Sequence, residues 1–112
     1  MMKVTVYQDS EGVISGFQVS GHSDYAKRHR EDILCAAVSA LTTNTVNSIE
    51  AFTDDQVRYQ AVNEEEGFLH YELKEVSKES RLLLDSLVLG LKSTQESYSQ
   101  FIQIRFEEVR SC

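Results

Sequence analysis

Two spacings of apolar residues alternate along this chain, and their order leaves few folds open to it. Lys3 to Gln8 carries Val4 and Val6 on one face, and Val13 to Ser20 carries Val13, Phe17 and Val19. This period of two belongs to half-buried strands. Asp9-Ser10-Glu11-Gly12 turns the chain between them, which makes the pair an antiparallel hairpin. From Ile33 to about Phe52 the apolar positions Leu34, Val38, Leu41, Thr45, Ile49 and Phe52 recur every three or four residues, the stripe of a long helix. A second hairpin follows. Gln56 to Val62 alternates through Val57, Tyr59 and Ala61, Asn63-Glu64-Glu65-Glu66-Gly67 forms the turn, and Phe68 to Leu73 alternates through Leu69, Tyr71 and Leu73. Ser77 offers a cap to a second helix running to about Tyr98, and Phe101 to Val109 ends the pattern as a strand through Ile102, Ile104 and Phe106. The order ββαββαβ predicts an α/β fold of the α+β type, a two-layer sandwich in which two long helices cover a mostly antiparallel sheet.

With 112 residues and no proline or linker segment, residues 1–112 make a single domain with one core, so a site must lie on its rim. No apolar run approaches the roughly 20 residues that cross a membrane. Met1-Met2-Lys3-Val4 leads into a strand without the apolar region of a signal peptide, which predicts a cytoplasmic protein. The net charge of −7 argues against direct nucleic-acid binding, because phosphates require a basic footprint, and suits a basic protein partner. In the second helix, Leu82, Leu83, Leu84, Leu87, Val88, Leu89 and Leu91 exceed one stripe. A homodimer is the simplest way to bury the excess, with Gly90 a point of close backbone contact across it.

Chemistry concentrates where the first hairpin hands over to the first helix. Gly21 ends a strand, His22 leaves it, and Cys35 falls in the first turn of a helix for which Asp32 is the N-cap. Exposed amides at a helix start favour a thiolate, and a histidine within reach stabilises it and protonates a leaving amine. Each residue also has a plainer reading. Cys35 could be a small core residue, His22 a surface residue at a strand end, Asp32 only a cap rather than a group orienting His22, and Ser39, one turn beyond Cys35, a small residue rather than a hydrogen-bond donor. His29 and His70 read as bystanders, as does Cys112, since two cysteines so placed make a poor disulfide framework. The paired local spacings of a structural zinc site are absent, so neither metal nor cofactor is expected. The basic run Lys27-Arg28-His29-Arg30 reads as solvated loop.

The residues Gly21 and His22, then Asp32-Ile33-Leu34-Cys35-Ala36-Ala37-Val38-Ser39, make the chain resemble the ribosomal-processing cysteine proteases (Prp) of Gram-positive bacteria. One departure is the loop reading Lys27-Arg28-His29-Arg30-Glu31, where relatives usually carry a glycine and are often one residue shorter. The resemblance implies a cysteine endopeptidase that removes the N-terminal extension of a large-subunit ribosomal protein precursor during ribosome maturation. It implies Cys35 as nucleophile and His22 as its partner in a Cys-His dyad, supported by Gly21, Asp32 and Ser39. Backbone amides near Cys35 would hold the oxyanion, and residues 22–31 would form a flap, mobile without substrate. The alternative is a non-enzymatic ribosome-assembly factor that binds a basic ribosomal protein through its acidic surface, with Cys35 used only for packing.

Overall fold

Seven elements follow one another in the expected order: β1 (Met2–Gln8), β2 (Ile14–Ser20), α1 (Arg28–Phe52), β3 (Val57–Asn63), β4 (Phe68–Leu73), α2 (Lys78–Ser97) and β5 (Ile102–Glu108). The computed structural model describes residues 1–21, 28–64 and 67–109, with residues 28–32 described as backbone only. The strands form one mixed sheet in the order β3-β4-β2-β1-β5. Three neighbouring pairs are antiparallel, and β5 lies parallel to β1, Met2 opposite Ile102. Parallel pairing needs a long crossover, which the whole intervening chain supplies.

One face of the sheet meets both helices. Val4, Val6, Phe17, Val19, Tyr71, Leu73 and Ile102 pack there against Leu34, Val38 and Ile49 of α1 and Leu84, Leu87, Val88 and Leu91 of α2. Thr42 and Thr45 are buried in the same interface. Their hydroxyls donate to the carbonyls of Val38 and Leu41, both at 2.9 Å, which spares these polar groups the cost of burial without a partner. Ser77 caps α2 as expected: its side chain accepts from the Ser80 N–H at 3.2 Å, while Asp55 accepts from both the Ser77 amide and hydroxyl.

Several expectations are corrected. A bulge between Val57 and Tyr59 reverses the phase of β3. Tyr59 is therefore half exposed on the face away from the helices, edge-on to His70, while Gln60 and Val62 take the helix side. Another bulge, between Tyr7 and Gln8, makes Ile14 rather than Val13 the buried residue that opens β2. Phe52 is 74% exposed, because it is the last residue of its helix and nothing faces it. Gly90 is a contact within the chain: a Cβ there would stand 3.3 Å from a Leu41 methyl, so the glycine lets α2 approach α1.

Tyr71 anchors the core at a cost. It is fully buried, and its hydroxyl finds no hydrogen-bond partner. Burial first, then the negative charges of Glu50 and Asp55, push its pKa up to about 12 from 10.0. Because the folded-state value lies above the unfolded one, the stability it contributes is complete below pH 10.0 and is lost as pH rises towards about 12. Tyr71→Phe should leave stability at neutral pH unchanged or slightly higher, since it deletes an unsatisfied buried hydroxyl, and should blunt the alkaline loss. Urea unfolding of both proteins at pH 8 and pH 11 checks this; equal losses would contradict it.

Candidate active site

Five strands are wider than two helices can cover, and the uncovered strip lies beside α1 over the β3–β4 hairpin. A groove of about 420 Å³ opens there. Cys35, Ser39, Thr43, Val46 and Asn47 form its α1 wall. These positions recur every three or four residues, so they lie along one side of the helix. The floor comes from Val19 of β2, Leu69 of β4 and Gln60 and Val62 of β3, and the rim from Glu64, Gly67 and Phe68. Met2 and Gly21 close the groove where β1 starts and β2 ends.

Cys35 is partly buried, forms no disulfide among the described residues, and packs against the edge of the core. Ser39, one turn on, is exposed to the same groove. Gly21 has φ +123°, and a Cβ there would come within 2.6 Å of the Met1 carbonyl oxygen. Only glycine fits such a position, for its torsion and for its closeness to β1. At this residue the described chain leaves the sheet. His22 itself, the rest of 22–27 with Asp24 and Tyr25, and Cys112 lie outside the described residues, as do the side chains of His29 and Asp32.

The helix start differs from expectation. α1 begins at Arg28, so Asp32 is an interior residue of its second turn rather than the N-cap, and Cys35 is the eighth helical residue rather than a member of the first turn. The cause is compositional: the segment from Arg28 to Glu31 contains no glycine, proline or β-branched residue to stop a helix. Two consequences follow. The favourable field of a helix terminus fades within the first turn, and amides beyond the fourth position are engaged in the helical ladder. Cys35 thus lacks both the terminal dipole and the ring of unpaired amides expected around it.

His70 stands on the opposite face of the sheet from Cys35. There it sits between Gln18 Oε1 at 3.0 Å and Glu72 Oε2 at 2.7 Å, stacked on Tyr7 with ring centroids 5.2 Å apart. The residues missed at the sequence level are Thr43, Asn47, Gln60 and Glu64. Gln60 was hidden because without the bulge it faces solvent, Glu64 because it reads as part of a turn, and Thr43 and Asn47 because they lie beside the apolar stripe of α1. Among the described residues no group of three or more histidine, cysteine or acidic side chains could hold a metal ion, and no helix is long and apolar enough to cross a membrane.

Comparison with known proteins gives this geometry a context. The chain is 24% identical over 110 residues to the ribosomal processing cysteine protease Prp of Staphylococcus aureus, covering 96% of this chain and all of that protein. The crystal structure of the S. aureus protease Prp with a covalently linked product peptide superposes with a TM-score of 0.84 at 23% identity, and the one with a substrate peptide with 0.83 at 24%. Each covers 96% of this chain and the whole of the other. These likenesses establish the fold. The sequence model of the family described as cysteine protease Prp matches residues 1–103, from the first strand into the last, and on that match the chain belongs to the cysteine protease Prp family.

Proposed function

We propose that this protein is a cysteine endopeptidase of ribosome maturation, cutting the N-terminal extension from a large-subunit ribosomal protein precursor with Cys35 and His22. The observation that carries the reading is the placement of Cys35 in the wall of a groove of about 420 Å³, in a chain of this family. The Cys35 sulfur attacks the scissile carbonyl carbon, and His22 passes a proton to the amide nitrogen as the C–N bond breaks. A thioester remains. Water then attacks it, His22 takes the water's proton, and the new carboxylate leaves.

Since Cys35 sits beyond the reach of the helix terminus, an ion pair with His22 is the source of its activation. Ser39 stands one turn along the groove, where its hydroxyl can donate to the bound peptide, and Gly21 sets the exit of the chain towards His22. Such a reaction belongs in the cytoplasm, where ribosomes are assembled. Incubation with a precursor ribosomal protein followed by intact-mass measurement tests the function: a single N-terminal cut is expected, and an uncut precursor with an alkylation-inert Cys35 would favour the assembly-factor alternative.

The protein acts as a homodimer in this reading. Leu82 and Leu89, two turns apart on α2, are 70% and 69% exposed while the opposite stripe of the helix is buried. Two apolar side chains so placed favour a covering partner surface. Leu89→Glu should convert dimer to monomer in light scattering at micromolar concentration; a wild-type monomer under the same conditions would refute the assembly.

A further inference from the structure

Charge is distributed unevenly around the groove. A quarter of the chain's residues are charged (26%), yet among the described residues that line the groove Glu64 alone carries a charge. The rest of the described lining is apolar or neutral and polar. An anionic group facing a largely uncharged cleft acts on whatever is bound there more strongly than the same group on open surface.

Its position along the groove follows from strand register. Val62 pairs with Leu69, which pairs with Val19, and Asn63 pairs with Phe68. Glu64, Gly67 and Gly21 therefore share one end. Gln60 pairs with Tyr71 further from that end, and only residues 53–56 join the C-terminus of α1 to Val57, which pairs with Leu73 at the far end of β3. The helix thus runs from the Glu64 end towards the Gln60 end. Cys35 lies twelve residues before Asn47, roughly 18 Å along the axis, so it belongs to the Glu64 end, with Asn47 near Gln60.

We propose that Glu64 selects a cationic side chain, lysine or arginine, in the bound peptide near the scissile bond, since Glu64 and Cys35 line the same groove. Recognition rests on charge pairing at the groove rim, while the apolar floor of Val19, Val62 and Leu69 accepts a neighbouring side chain. The inference depends on the reading of the groove as a peptide site, and deepens it by naming a substrate feature.

The test uses Cys35→Ala protein, which binds without cutting, and fluorescent peptides derived from a ribosomal protein precursor. Lysine, glutamine or glutamate is placed in turn at each of the three positions on either side of the cut. At one position lysine should bind about five- to tenfold more tightly than glutamine. Adding Glu64→Gln should erase that preference, and Glu64→Lys should reverse it in favour of glutamate. Glu79→Gln, which removes the same charge from α2, should leave the preference intact. A lysine preference unchanged by Glu64→Gln, equally weakened by Glu79→Gln, or absent at every position overturns the proposal. If the lysine preference holds while wild-type protein cuts none of the peptides, Glu64 selection stands and the protease reading falls.

Discussion

Cys35→Ala should abolish cleavage, with a loss of at least about four orders of magnitude in kcat, while the protein keeps its fold. The rate expectation follows from the nucleophilic role proposed for the sulfur: without it no thioester would form, and the residual rate would be that of a bound peptide and water. Stability should hardly change, because Cys35 is only partly buried on a groove wall, and a small truncation there leaves no closed cavity. Cys35→Ser should be almost as inactive, since an alcohol is far harder to deprotonate than a thiol and α1 lends no terminal dipole at its eighth residue. Peptide affinity should survive in both. Intact-mass kinetics on a precursor protein and thermal unfolding of each variant check the pair of claims; residual turnover in Cys35→Ala near the wild-type rate would remove Cys35 from the chemistry.

The second large effect concerns Gly21→Ala. At φ +123° a side chain strains the backbone by about 1–3 kcal/mol. The added carbon also meets the Met1 carbonyl at 2.6 Å and the Met2 Cα at 3.0 Å. These are backbone atoms and cannot swing aside, so the start of β1 must move. Met2 is part of the core and of the groove lining, which carries the disturbance to the site. A total destabilisation of about 2–4 kcal/mol is expected, together with a cleavage loss larger than unfolding explains if, as proposed, Gly21 sets the path of the chain to His22. Comparing cleavage at a temperature where both proteins remain folded separates the two effects. Full activity there would show that the strand exit does not position His22.

Much of this was legible from residue order. Val4, Val6, Phe17 and Val19 on one sheet face, and Leu34, Val38 and Ile49 on one helix face, could be read from period alone because each segment keeps its phase. The same logic failed in β3. There Val57, Tyr59 and Ala61 look like one buried row, but a single extra residue at the bulge sends Tyr59 to the open face. Bulges leave no clear mark in a run of β-favouring residues, so the one polar residue of the groove floor, Gln60, was invisible beforehand. Cys35 was singled out by its neighbours in sequence, whereas Glu64 came into view only once the fold placed it at the groove rim. The start of α1 was misplaced for a different reason: Arg28 to Glu31 reads as a charged loop by solubility and as helix by propensity, and propensity won.

The pairing of β5 with β1 also sets when this protein can exist as a folded object. β1 is an interior strand of the sheet, yet one of its two neighbours, β5, lies some hundred residues further along the chain. A nascent chain that has completed both hairpins and both helices still presents β1 as an open edge, with unmet amides and carbonyls along Met2–Gln8 and an apolar row at Val4 and Val6 beneath them. Such an edge invites pairing with other chains until it is covered. The rate of folding is therefore set by the long-range closure of β5 onto β1 rather than by the fast local elements. Any shortened product that stops before Ile102 should be rapidly degraded or aggregated, not partly active.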